Sequence, residues 1–440
     1  MSKKFKFKIK SDMDVIPKSK EETRIVRVCV TAPGISDDFE RGSINLGLVI
    51  DRSGSMNGEK IRNVVKAAKL IVDQLNSNDT VSIISYNEVV HPHFEAIPCT
   101  EANKDLIASI LYEIQAGGMT NLSGGWLRGC ESIAKADNGH INHAFLMTDG
   151  LANVGITDLE ELGQHSSELA KRGIRTSTFG VGLQFNEFLL TEIANRGQGV
   201  YRYIKSPEHI LDAFANDFDD LMNITAKNTV LEIVVPDGLE MSIPGGWEME
   251  EDGNLHKVLL GNFAANEKRC IFLELGIPTE SSVNELKFAL SWEDINGDEH
   301  SIEKEVEFLK VSAAKYKEAR KNAAVIKQYS KIKVGSISTH ALKYYRDGDE
   351  KGAKDYIRTS LEQSRGRLSN EGISGLQDFT HRMDAKPSRG DVKQMQDTSY
   401  RTMRSMPLDK RSKLQKCQHG VPKIKTCAIC DPEKFKRENG

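Results

Sequence analysis

At 440 residues the chain is long enough for two to four domains and a sizeable core, and its formal net charge of -3 gives no whole-chain signal for nucleic acid or a membrane surface. That near-neutrality hides an asymmetry, because residues 386–440 carry 14 Lys and Arg against 6 Asp and Glu. No stretch approaches ~18 uninterrupted apolar residues, and the basic residues 1–10 are not followed by an apolar segment, so a soluble, unsecreted, cytoplasmic protein is expected. Cys29, Cys99, Cys130 and Cys270 are scattered through strand-like or mixed segments and read as reduced, buried thiols, which agrees with that address.

Along the chain, residues 5–9 alternate apolar and basic side chains and residues 23–30 are β-rich, predicting two strands ahead of a different kind of sequence. From about residue 41 to 224 strand and helix patterns alternate. Strands are predicted at about 44–50, 80–86, 141–148, 174–181 and 199–204, and helices at about 59–75, 101–115, 123–136, 158–172, 186–196 and 207–222. A short edge strand around His91 and His93 would tolerate Pro92. Such alternation predicts an α/β fold with a doubly wound, mostly parallel sheet, in which ligands collect at the carboxyl ends of the strands. Four further strands follow at 229–235, 256–260, 269–275 and 285–292. Residues 1–40 and 225–312 are therefore expected to share one β-sandwich, with the α/β domain inserted in it. Asp294 to Asp298 reads as a hairpin turn rather than a calcium loop, because Glu299 stands where such a loop needs glycine.

After Val311 the pattern turns helical, and residues 313–384 are predicted to form a helical segment of three helices interrupted at Gly335 and at Asp347-Gly348-Asp349. Residues 385–416 are polar and lack periodicity, so a flexible basic linker is expected there. In the last segment, 417–440, Cys417, His419, Cys427 and Cys430 place four ligands at spacings that can close a tetrahedral Zn²⁺ site, with a CxxC redox pair as the competing reading.

Three separated segments carry the candidate chemistry. Asp51-Arg52-Ser53-Gly54-Ser55 ends the first predicted strand of the α/β region, Gly117-Gly118-Met119-Thr120 offers a hydroxyl on a glycine-rich loop, and Thr148-Asp149-Gly150 ends a second apolar strand. Two carboxylates with several neutral hard oxygens suit Mg²⁺ and would leave it net positive charge and an open position for an incoming carboxylate. In this order the segments resemble the metal-ion-dependent adhesion site of von Willebrand factor A domains. The resemblance covers roughly residues 41–224 and implies that Ser53, Ser55 and Thr120 contact Mg²⁺, or Mn²⁺ or Ca²⁺, directly. It implies outer or exchanging roles for Asp51 and Asp149, and a protein partner that supplies an Asp or Glu carboxylate.

The expected function is metal-dependent protein interaction rather than catalysis, with Met56, Asn57, Met119, Asn121 and residues 151–154 as the rim of the site. The joining of such a domain to a zinc module resembles bacterial TerY-like proteins, which implies stress or phage-defence signalling. Two rivals remain open. One is a Mg²⁺-dependent hydrolase using Asp51 and Asp149, which lacks an evident general base, since His91, His93, His140, His143 and His165 have no catalytic spacing. The other is nucleic-acid binding by the basic tail.

Overall fold

In a computed structural model, residues 4–18, 20–35, 39–136, 139–279 and 285–406 are described. The predicted zinc ligands Cys417, His419, Cys427 and Cys430 and the end of the predicted linker lie outside them. The chain opens with strands β1 (Lys6–Ser11), β2 (Val15–Pro17) and β3 (Glu22–Thr31). An α/β region follows, comprising β4 (Ile44–Asp51), α1 (Glu59–Gln74), β5 (Thr80–Tyr86), β6 (Val90–Pro98), α2 (Glu101–Glu113), α3 (Leu122–Lys135), β7 (Ile141–Thr148), α4 (Leu159–Lys171), β8 (Arg175–Val181), α5 (Glu187–Arg196), β9 (Gln198–Ile204) and α6 (Ile210–Met222). Eight strands follow among the described residues: β10 (Ile224–Val234), β11 (Glu240–Ser242), β12 (Met249–Asp252), β13 (Leu255–Ala264), β14 (Lys268–Ile277), β15 (Glu285–Glu293), β16 (Glu299–Glu307) and β17 (Leu309–Val311). Helices α7 (Ala313–Glu318), α8 (Ala323–Arg346), α9 (Glu350–Gln363), α10 (Asn370–Asp384) and α11 (Arg389–Met403) complete the described chain.

The central sheet has the order β6-β5-β4-β7-β8-β9, parallel throughout except for the antiparallel edge strand β6. Strands β4 and β7 are buried along their whole length because helices cover both faces, and this explains their unbroken apolar runs. The chain winds outward in opposite directions from these two neighbours. The crevice at their carboxyl ends is thus the switch point where a ligand site belongs. Helix α3 is drawn close over this crevice by Gly129, where a Cβ would stand only 2.4 Å from Val49 Cγ2.

Strands from before and after the α/β region hydrogen-bond into common sheets. The order β1-β3-β14-β11 mixes both, and β14 pairs with β3 over ten registered positions from Lys268–Thr31 to Ile277–Glu22. A five-stranded sheet, β12-β13-β10-β15-β16, packs on it through an apolar cluster that includes Phe7, Val28, Leu231, Leu260, Leu273, Phe288 and Trp292. The opposite face of β3 and β14 carries Ile25, Phe272, Cys29 and Cys270 and meets Tyr329 and Ile332 of α8. β15 and β16 are joined at the predicted turn, where Asp294 N–H donates to Asp298 O at 2.9 Å.

Three expectations are corrected here. Cys29 and Cys270, read as reduced thiols, form a disulfide with a Cα–Cα distance of 4.2 Å, since they face each other in the β3–β14 register. Their 241-residue separation hides this from any spacing argument. Cys99 and Cys130 are free and buried. Gly335 does not interrupt a helix but sits within α8, where a Cβ would lie 3.0 Å from Ser399 O, so it admits α11 at close range. Residues 389–403 of the predicted flexible linker are the helix α11, capped by a reciprocal Ser388–Asp391 box and packed on α8, β9 and α5. Its buried face mixes Val392, Met395, Tyr400 and Met403 with Lys393, Gln396 and Asp397, so polar side chains mask the apolar period.

Candidate metal centre

β4 delivers Asp51 to the carboxyl edge of the sheet fully buried, and the chain turns at once into a short helical turn at Gly54–Met56. Asp51 Oδ1 accepts from Ser53 N–H at 2.7 Å and Oδ2 accepts from Thr148 Oγ1 at 2.5 Å, which fixes the carboxylate and bridges β4 to β7. Burial, with the adjacent Asp149 charge adding to it, pushes the Asp51 carboxyl up to about 6 against the pull of these hydrogen bonds. A bound dication would reverse that direction.

Asp149 follows the last residue of β7 and is also fully buried. Its Oδ1 accepts from Ser55 Oγ at 2.6 Å, and its Oδ2 is held by the Lys60 ammonium, which also donates to Ser55 O at 3.0 Å. Ser53 Oγ and Ser55 Oγ are 3.2 Å apart. Thr120 is positioned by its loop: its N–H donates to Asn153 Oδ1 at 2.9 Å, and its carbonyl accepts from Asn153 and Val154 at 3.2 Å each. The five predicted residues are brought together. A Cβ added to Gly150 would lie 3.3 Å from Thr120 Oγ1, 3.4 Å from Ser55 Oγ and 3.8 Å from Ser53 Oγ, so three hydroxyls converge on one small cradle beside this glycine. Among the described residues no cluster of three or more His, Cys, Asp or Glu could hold a metal ion; the donors at this edge are mainly hydroxyls.

The predicted rim is partly corrected. Met56 is fully buried beneath the site, because the turn at Gly54 tucks its side chain into the core. Met119 and Leu151 are 56% and 58% exposed on either side, and Asn57 is exposed. Asn121 is spent on capping α3, where its side chain accepts from Gly124 N–H. Lys60 and Thr148 were not foreseen. Lys60 had a readable signal, for a cation in the first turn of α1 stands at the positive end of the helix dipole and needs an anion nearby. Glu88 was also missed; its exposed carboxylate accepts from Met119 N–H at 2.6 Å beside the threonine loop.

Residues 45–217 match the family model described as von Willebrand factor type A domain. An uncharacterized protein of Synechocystis is 27% identical over 283 residues, covering 60% of this chain and 64% of its own. Inter-alpha-trypsin inhibitor heavy chain H3 of Rattus norvegicus is 27% identical over 195 residues, covering 43% of this chain and 22% of that protein. The chain thus spans less than two thirds of the length of these relatives. Among solved structures, von Willebrand factor type A from Catenulispora acidiphila superposes with a TM-score of 0.71 at 17% identity, covering 90% of this chain and 96% of the other. The ArnB paralog VWA2 from Sulfolobus acidocaldarius does so with a TM-score of 0.58 at 16% identity, covering 91% and 98%. These likenesses extend the shared fold beyond the α/β region. The switch-point sheet and its helices on both faces agree with the family match, and the assignment is confined to it: residues 45–217 form a von Willebrand factor type A domain.

Proposed function

We propose that the carboxyl edge of the central sheet binds a divalent cation, Mg²⁺ or else Mn²⁺ or Ca²⁺, and through it anchors a carboxylate of a protein partner. The convergence of Thr120 Oγ1, Ser55 Oγ and Ser53 Oγ within 4 Å of one point over Gly150 carries this reading. Those hydroxyls would hold the ion, with Asp51 and Asp149 behind them, and when bound it supplies an electrophilic position for an anionic oxygen. The chain's own residues do the rest. Thr148 and the Ser53 amide keep Asp51 oriented, Lys60 neutralises Asp149 between binding events, and exposed Met119 and Leu151 offer apolar contact around the charged centre. The von Willebrand factor A relatives named above support an interaction module.

A nucleophilic role for Ser53 or Ser55 is disfavoured because their described hydrogen bonds run to each other and to Asp149, and none reaches a histidine that could act as a base. The test is calorimetric titration of the full chain with Mg²⁺ and capture of partners with Mg²⁺ and again in EDTA. Saturable binding lost in Asp51→Ala, with unchanged circular dichroism, is expected; unchanged affinity in that variant would refute the site.

Two further proposals stand apart from it. Cys417, His419, Cys427 and Cys430 hold one structural Zn²⁺, tested by metal analysis of protein purified without chelator, and the basic residues around them remain the candidate contact for nucleic acid. The cytoplasmic address loses its cysteine argument, because the Cys29–Cys270 disulfide suits an oxidising compartment. Among the described residues no helix is long and apolar enough to cross a membrane. Stress or phage-defence signalling stays a proposal from architecture.

A further inference from the structure

A second cavity lies at the other end of the central sheet. It encloses about 740 Å³ between the α/β region, the strand β13–β14 hairpin and the end of α11. His143 near the amino end of β7 and Arg175 at the start of β8 form one wall, whereas Asp149 of the candidate metal centre follows the carboxyl end of β7. The two sites therefore occupy opposite edges of one sheet.

Its charges are unusual. Arg175 is 4% exposed, yet its guanidinium meets only neutral oxygens: Gly173 O at 3.3 Å, Gln198 Oε1 at 3.2 Å and Asn228 Oδ1 at 2.8 Å. Arg404, on the far wall, likewise donates only to Asn195 Oδ1 at 2.6 Å and Gly246 O at 3.0 Å, and lies 4.2 Å over the Trp247 ring. Among the described residues neither arginine has an ion-pair partner within 4.0 Å, and the Nε of each is buried without a hydrogen bond, as is His143 Nδ1. Of the three acidic residues on the wall, Asp217 is clasped by Arg202, Glu267 by Arg269, and Asp220 acts on Arg202. Burial lowers both Arg175 and Arg404 and the charge of Arg269 adds to it, whereas Glu293 pulls the other way on Arg175, as do Tyr400 and Glu248 on Arg404. Burying a guanidinium without an ion-pair partner, as at Arg175, is costly. A resident anion would remove that cost.

We propose that this cavity is a binding site for a small organic anion, recognised through its carboxylate or phosphate group by Arg175 and Arg404. The volume falls within the range of small-molecule sites and exceeds what an inorganic ion needs. Phe145, Phe272, Tyr400 and Trp247 supply the apolar and aromatic wall for the rest of such a molecule. Guanidinium forks suit planar or tetrahedral oxyanions and stack on rings, so both features of the wall match one ligand class.

The test uses the full chain, with benzoate and phenyl phosphate as probes that share a ring and differ in the anionic head. Calorimetry and thermal unfolding should show saturable binding of at least one of them, and the preferred probe identifies the head group. Arg404→Gln, whose side chain is partly exposed, should weaken that binding at least tenfold while leaving Mg²⁺ affinity at the other edge unchanged, and Arg175→Gln should do the same if it folds. Absence of saturable binding by both probes overturns the proposal. So does equal binding by wild type and the folded Arg404→Gln protein.

Discussion

At the scale of single residues, Lys60 is the side chain whose removal says most about the metal edge. Its ammonium, 26% exposed, is the immediate partner of fully buried Asp149. A divalent ion drawn to the same carboxylate must compete with it. Lys60→Met is therefore expected to bind Mg²⁺ several-fold more tightly, and to be less stable without metal by about 1–3 kcal/mol because buried Asp149 keeps its Ser55 hydrogen bond but loses its counter-charge. Calorimetry and urea unfolding with and without Mg²⁺ check both halves; weaker Mg²⁺ binding would mean that Lys60 assists the site. His143 gives a pH signature at the other edge. Burial, then the Arg175 charge, lower its imidazole to about 3, so the folded state holds it neutral while the unfolded chain protonates near 6.5. Its contribution is present above 6.5 and is lost as pH falls toward 3, adding a slope of about 1.4 kcal/mol per pH unit within that window. The difference in unfolding free energy between wild type and His143→Gln, measured from pH 7 to 5, should show that slope. The residues gathered at the candidate site were legible as a set, because Asp51, Ser53 and Ser55 sit within one turn and Asp149 follows an apolar strand. Of their partners, Lys60 showed only as a cation misplaced at a helix start and Thr148 not at all, since the bonds they make depend on how β4, α1 and β7 meet.

At the scale of elements, α11 shows where sequence reading failed and why. Apart from the edge strand β6, the strands and helices from β4 to α6 announce themselves through their apolar pattern, because one face or both faces are buried. α11 instead docks largely through polar groups. Lys393 Nζ donates to Phe185 O and to Glu187 Oε2 at 2.6 Å each and lies 3.7 Å over the Phe185 ring, and Tyr400 OH accepts from Tyr201 N–H at 3.2 Å. Lys393→Ala should destabilise the protein by about 3–5 kcal/mol, since it strands the buried Glu187 carboxylate. Urea denaturation measures this, and Lys393→Ala with Glu187→Gln together should recover part of the loss by removing the stranded charge. An effect below 1 kcal/mol would show that α11 contributes little to the folded state.

At the scale of the whole molecule, the chain leaves and re-enters the same place around the von Willebrand factor A domain. Pro33 O, on the way in, accepts from Thr225 Oγ1 at 3.3 Å, on the way out, and from Asn266 N–H at 3.1 Å. The Cys29–Cys270 bond closes a loop around the entire domain. A loop of this length restricts the unfolded chain by an amount on the order of 5 kcal/mol in the chain-entropy account. Reduction under native conditions should therefore lower the thermal midpoint while leaving Mg²⁺ affinity intact, which scanning calorimetry with and without reductant can establish. An unchanged midpoint would contradict this coupling. The pairing of residues so distant in sequence is a product of topology alone, which is why the amino-acid order signalled the two sets of strands but not the bond between them.

The position of that bond also bears on mechanics. A partner held at the metal edge would pull on the far side of the central sheet from the two connections, so tension would divide between the entry after β3 and the exit into β10. Those connections lead into strands of both packed sheets, and β3 is laced to β14 by ten registered positions and one covalent bond. Load would meet the ladder largely as shear, with many hydrogen bonds resisting together, and the disulfide would stop β3 from sliding past β14 even after those bonds had broken. The domain would then yield within its own sheet before its mounting gave way.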